Sequence, residues 1–172
     1  MSDLSSIMGK IDKSIHSHHD LVSIASKWVK KKLNFPVVAT ELKCIGSREI
    51  PDVLAFRAQT SLIIECKTSL ADFRKDFIKP ERNGSQLGVG NYRLYCAPAG
   101  LISIDRIPDS WGLMEVDHKG KVALVKFKQG NIYHNNDSPE HYKLNDSFFH
   151  DSDIKKERAF LYSILIRRSS NE

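Results

Sequence analysis

Two acids and a base stand in Ile50-Pro-Asp52 and Glu65-Cys-Lys67, at the far ends of two short apolar runs rich in β-branched residues. The runs, Pro51 to Arg57 and Ser61 to Lys67, are separated by the polar Ala58-Gln-Thr60 and read as the strands of a hairpin. Pairing Ala58 with Ser61 sets Asp52 opposite Lys67 and Leu54 opposite Glu65. Opposite residues share a face, as do residues two apart on a strand, so Asp52, Glu65 and Lys67 project toward a common point. Leu54, Phe56 and Ile63 lie on that face, while Val53, Ala55, Leu62, Ile64 and Cys66 occupy the other, which makes the hairpin buried on both sides. Charges on such a strand must be paired or bind a metal. Two readings follow. One is a salt-bridged cluster at a solvent-facing end of the hairpin; the other is a pair of oxygen ligands for a hard divalent cation with a basic side chain beside them. The second set can neutralise a phosphate and turn a water into a nucleophile.

The elements that must position these groups follow from the flanking sequence. Ser17-His-His-Asp20 matches a capping box, and Leu21, Ile24, Ala25, Trp28 and Val29 recur at helical spacing as far as Leu33. Val37 to Cys44 reads as a strand carrying Glu41, which is either a further acid of the site or an exposed residue on an alternating strand. Asp20 is either a capping residue or another acid. After Lys67, Ser69 and Asp72 cap a second helix with an apolar stripe at Leu70, Phe73 and Phe77 that Pro80 stops. Arg74, Lys75, Lys79 and Arg82 lie on or just past its polar side, with Asp72, Asp76 and Glu81 offsetting part of the charge. A glycine-containing loop from Pro80 to Asn91 leads to a strand at Tyr92 to Ala97. A second hairpin follows at Trp111 to Val116 and Lys121 to Phe127, and Asp151-Ser-Asp153 caps a last helix with a broad apolar surface. Pro108-Asp109 with Asp117 and Lys119 repeats the letters of the first cluster, but in a turn before Gly120, where no buried strand fixes their geometry.

Composition bounds the class. The 172 residues are 41% hydrophobic, enough for one globular core. With 26 basic and 21 acidic side chains the net charge is +5, which permits a polyanionic partner without demanding one. Cys44, Cys66 and Cys96 form an odd set without Cys-x-x-Cys spacing, as buried free thiols of a reducing compartment do. The start of the chain lacks a signal-peptide core, and no apolar stretch approaches the ~18 residues of a membrane span, so the expectation is a cytoplasmic protein without membrane contact. The expected organisation is an arm at 1–16, a domain at 17–127, and an irregular connection with the C-terminal helix at 128–172, docked on the same domain or on a second subunit in a homodimer.

The order helix, strand, Pro-Asp strand, Glu-x-Lys strand, helix, strand resembles the PD-(D/E)XK, restriction-endonuclease-like nuclease superfamily. Glu65-Cys-Lys-Thr-Ser-Leu-Ala-Asp-Phe-Arg74 is similar to the MmcB-like DNA repair proteins and related phage and bacterial proteins within it. The resemblance spans about His18 to Val116. It implies an α/β fold with an αβββαβ core, a mixed central sheet flanked by helices, to which a C-terminal hairpin and helix are added. It also implies a Mg²⁺- or Mn²⁺-dependent nuclease acting on DNA, in repair or in a mobile-element context. Asp52, Glu65 and the Cys66 backbone carbonyl would be metal ligands, Lys67 would act on the water, and Ser69, Arg74, Lys75, Lys79 and Arg82 would hold the nucleic acid. Many members carry an acid on the first helix, and here Asp20 is the residue available. A module of this fold that binds nucleic acid or a protein partner without cleaving is the competing expectation.

Overall fold

The computed structural model describes residues 16–128, 132 and 146–170. The expected arm, apart from His16, and most of the irregular connection lie outside the described residues.

The Ser17 side chain accepts the Asp20 amide while Asp20 reaches back to the Ser17 amide, and this capping box opens helix α1, His18–Lys32. Leu21, Val22, Ala25 and Val29 on its inner face are buried. Six strands follow: β1 Val37–Thr40, β2 Val53–Phe56, β3 Ser61–Cys66, β4 Tyr92–Pro98, β5 Gly112–Val116 and β6 Val122–Lys126, with α2, Leu70–Asp76, between β3 and β4. The last described helix is α3, Ile154–Ser169, capped by Asp153. The strands form one sheet in sequence order, antiparallel at β1/β2, β2/β3 and β5/β6 and parallel at β3/β4 and β4/β5.

Both faces of the central strands are covered. On one side, Val53, Ala55, Leu62, Ile64, Cys66, Leu94 and Cys96 pack against α1. On the other, Tyr95, Ala97, Trp111 and Leu113 gather around Phe73 of α2, and Leu54, Phe56 and Ile63 around Phe160 of α3. This is the two-sided burial that the near-continuous apolar runs demand. Gly112 marks the closest approach within the sheet, because a Cβ there would collide with Leu94 and with the Lys126 carbonyl.

Several boundaries differ from expectation. β1 ends at Thr40 rather than Cys44, because Glu41 turns into the left-handed region at φ 47° and its amide bonds the Asp52 carbonyl at 3.1 Å. The hairpin register pairs Phe56 with Ser61 rather than Ala58 with Ser61, since Arg57 to Thr60 form the turn, closed by Arg57 N–H to Thr60 O at 2.8 Å. Helix α3 buries Phe160 and rests Ile164 on the sheet, while Ile154, Tyr162 and Leu165 stay exposed. Cys66 and Cys96 are buried free thiols on adjacent strands, and Cys44 is half-buried. Among the described residues no helix is long and apolar enough to cross a membrane.

Candidate active site

The register shift moves the expected pairing by two residues and so preserves the face. Val53 pairs with Ile64, which continues to Asp52 opposite Glu65 at the mouth of the hairpin. Glu65 is the penultimate residue of a strand buried along its whole length, and just past its end the Lys67 amide extends the parallel ladder to the Cys96 carbonyl. The Glu65 and Lys67 side chains are 3% and 5% exposed, so their charges need partners close by.

Those partners come from α2 and the loop after it. Glu65 Oε2 lies 3.4 Å from both Lys67 Nζ and Lys79 Nζ, and Oε1 accepts from Arg82 Nη2 at 2.9 Å. Asp76 Oδ1 stands 3.2 Å from Lys67 Nζ and 2.6 Å from Lys79 Nζ, while its Oδ2 accepts the Tyr95 hydroxyl at 2.9 Å. Arg82 Nη1 donates to Glu49 Oε1 at 2.8 Å, and Nε lies 3.3 Å from Asp76 Oδ2 without hydrogen-bond geometry. Three acids and three bases thus alternate in one network, buried except at Lys79. Burial opposes ionisation of Asp76, but Lys67, Lys79 and Arg82 outweigh it and hold the carboxyl below its usual range. The Tyr95 phenol is pushed up, first by burial and then by the charge of Asp76.

Asp52 lies at the edge of this network. Its Oδ2 accepts the Cys66 amide at 2.7 Å, and Oδ1 lies 3.3 Å from His18 Nε2. The same imidazole nitrogen is 3.7 Å from Glu41 Oε1, so the left-handed turn at Glu41 brings that acid toward Asp52 through His18. Burial, and then the negative charge of Glu65, push the Asp52 carboxyl up to about 6. A half-buried carboxyl whose ionisation a neighbouring carboxylate opposes is the electrostatic setting that a divalent cation relieves. Among the described residues no three His, Cys, Asp or Glu side chains converge as metal ligands. A cation here would therefore take one or two carboxylates and fill its shell with water and substrate oxygens, as Mg²⁺ does. The donor set fits on those terms.

The remaining expected residues divide. Asp20 is spent on the capping box, accepting the Ser17 amide at 2.9 Å, and the α1 side chain turned to Asp52 is His18 instead. Ser69 caps α2 by accepting the Asp72 amide at 3.1 Å. Arg74 and Lys75 are exposed. Lys79 is half-exposed but paired, and Arg82 is 2% exposed at its side chain, so it belongs to the buried network rather than to a solvent-facing phosphate patch. Asp117 accepts the amides of Lys119 and Lys121 in an exposed turn, as the turn reading of that second cluster expects. Sequence reasoning missed Asp76, which it placed on the solvated face. Its signal was there: Asp76 lies three residues after Phe73 and so on the inward stripe of α2. For Glu49, no pattern in the sequence points inward.

No protein-family model and no curated protein matches the sequence. Among solved structures, the SPO1766 protein of unknown function from Silicibacter pomeroyi is similar, with a TM-score of 0.54 at 16% identity over 90% of each chain. This likeness bears on the fold alone: a mixed α/β architecture with a six-stranded mixed sheet flanked by helices.

Two stability measurements test the electrostatics. The folded-state value of Asp52, near 6, lies above its ordinary 3.8, so the folded protein binds the extra proton and loses stability as pH rises from about 4 through 6. Asp52→Asn, which keeps an acceptor for the Cys66 amide, should raise urea-denaturation stability by up to ~3 kcal/mol at pH 8 and leave it nearly unchanged at pH 3.5. Asp76→Ala leaves Lys67 and Arg82 short of a buried counter-charge and should cost ~3–5 kcal/mol, against less than ~0.5 kcal/mol for exposed Lys75→Ala in the same assay.

Proposed function

We propose that the chain is a metal-dependent nuclease that hydrolyses phosphodiester bonds in DNA, on a PD-(D/E)XK core formed by α1, β1, β2, β3, α2 and β4. The observation that carries this reading is the meeting of Asp52 and Glu65 at the hairpin mouth, with Lys67 buried against Glu65 and Asp52 raised by burial and then by the Glu65 charge. A structural salt bridge has no use for a second, poorly compensated acid held beside the first. Repair or processing of DNA, or a mobile-element setting, is the biological context in keeping with the sequence resemblance.

Asp52, Glu65 and the Cys66 carbonyl would hold the cation. Mg²⁺ or Mn²⁺ supplies charge neutralisation for the phosphate and a bound water of lowered pKa. Lys67 is placed to orient the attacking water or to meet charge developing on the phosphate, and Asp76 fixes its ammonium while Tyr95 fixes Asp76. His18 steadies the free oxygen of Asp52. Exposed Arg74 and Lys75 on α2 provide phosphate contacts that position a strand without reading its sequence.

A second reading has its own observation. Both oxygens of Glu65 already accept from cationic side chains, which is the arrangement expected of a fold that binds nucleic acid or a protein partner without hydrolysis. Incubation with single-stranded, duplex and branched DNA in Mg²⁺ or Mn²⁺ separates the two. The nuclease reading expects cleavage that falls at least ~100-fold in both Asp52→Ala and Lys67→Ala. Cleavage that survives both substitutions would overturn the site, and binding without cleavage on every substrate would establish the non-hydrolytic module.

A further inference from the structure

Tyr95 and Ala97 turn into the apolar cluster beneath α2, and Arg93 shares their face of β4. Arg93 sits in register beside Ile63 and is only 6% exposed. Its Nε donates to the Gly90 carbonyl at 3.2 Å and Nη1 to the Glu81 carbonyl at 3.3 Å; among the described residues no carboxylate forms an ion pair with it. The contrast with its neighbour is sharp, since Arg82 has Glu49, Glu65 and Asp76 around it. Burial, and then the charge of Arg82, pull the Arg93 guanidinium down to about 10, which leaves it cationic at neutral pH. Glu49 and Glu157 offset part of this from beyond ion-pair distance, but a buried cation with no carboxylate in direct contact is costly, and the fold retains this one.

Arg93 lines a pocket of about 310 Å³ with Arg82, Tyr95, Trp111, Ser110 and His150. The guanidinium carbons of Arg82 and Arg93 lie 5.3 and 5.9 Å from the Trp111 ring centre. His150 adds no charge at neutral pH, because burial and then Arg93 hold its imidazole near 4, and its Nε2 contacts the Ser110 carbonyl oxygen at 2.9 Å. Glu81 gives Arg93 its backbone oxygen, while its carboxylate lies 3.9 Å from Lys156. Asp151 stands exposed at the rim. The pocket thus presents a rigid donor fork whose charge nothing within ion-pair distance cancels, the arrangement that suits an oxyanion and above all a phosphate. Its volume is at the small end for ligand sites, enough for one phosphate and the sugar attached to it but not for a strand running through. Arg82 and the loop after α2 also wall a second pocket, about 350 Å³, that contains Glu65 and Lys79. The two spaces are neighbours.

We propose that the Arg93 pocket seats the terminal phosphate of a nucleic-acid strand whose body lies along the Glu65 side of Arg82. Assigning the phosphate to a strand rests on the nucleic-acid reading above, whereas an oxyanion site at Arg93 stands without it. The test is binding rather than cleavage, in EDTA, read by Trp111 fluorescence in a Trp28→Phe background. The probes are one oligonucleotide bearing a 5′-phosphate, a 3′-phosphate or hydroxyls at both ends, together with inorganic phosphate. One phosphorylated end should bind at least ~10-fold tighter than the hydroxyl form, with inorganic phosphate competing. That preference should vanish in Arg93→Gln and in Leu87→Glu, which places a carboxylate from an exposed position of the pocket lining and spares the interior if Arg93→Gln fails to fold. Equal binding of all three oligonucleotides, or a preference that persists in a folded variant of either kind, would overturn the proposal. Competition by inorganic phosphate without an end preference would overturn the assignment to a strand. An end preference in a protein that never cleaves DNA would sink the hydrolytic reading and leave this site standing.

Discussion

Glu65 puts an acidic side chain near the end of a strand that is buried along its length, and much of the surrounding structure is arranged to make that tolerable. A carboxylate in this position demands several donors at once, and they come from three places: Lys67 two residues on, Lys79 beyond α2, and Arg82 in the loop that follows. Those cations in turn require acids, which Asp76 and Glu49 supply. The short length of α2 follows the same logic. Ser69 starts it directly after the charged strand, and it runs far enough to bring Asp76 under Lys67 and the Tyr95 hydroxyl before Pro80 redirects the chain. Individual contacts in such a network contribute little net stability over an apolar core, but removing any one member strands its partners. The network therefore holds Glu65 and Lys67 in one geometry more than it strengthens the fold.

Asp52 is the exception to this compensation. It receives one amide and a histidine, faces Glu65 without a cation of its own, and stays harder to ionise than an ordinary aspartate. The turn that delivers Glu41 toward it uses a left-handed conformation at a non-glycine residue, a local cost of roughly 1–3 kcal/mol. Costs of this kind gather at the one point where the two acids meet, in keeping with the proposed cation site.

Much of this was legible from residue order. The apolar runs around Asp52 and Glu65 specified a doubly buried hairpin, and because side chains alternate with period two, a register wrong by two residues still put the acids on the correct face. The capping boxes placed the starts of α1 and α2, since Ser with an acid three residues on is a local signal. What the sequence concealed depends on tertiary geometry. Arg82 and Lys79 looked like a solvated basic patch because nothing local reveals that the loop folds back under β3. Asp76 looked like their solvent-facing counterweight for the same reason, although its spacing from Phe73 placed it inward. Of the two readings open for Asp20, the cap is the one observed, and His18 is the α1 side chain that reaches Asp52; a capping box and a metal ligand draw on the same residue types at a helix start. Arg93 was read only as a strand residue, and its lack of a counter-charge emerges only when the neighbours on both sides are in place.

Asp52 and Glu65 are proposed to form together one divalent-cation site. Its most direct test is a crystal structure grown with Mn²⁺, with anomalous scattering recorded at a wavelength that identifies the ion. The account predicts an anomalous peak between the two carboxylates, with Glu65 released from at least one of Arg82, Lys67 and Lys79 to reach it. A map without that peak, in which Glu65 keeps all three cationic partners at saturating Mn²⁺, would contradict it.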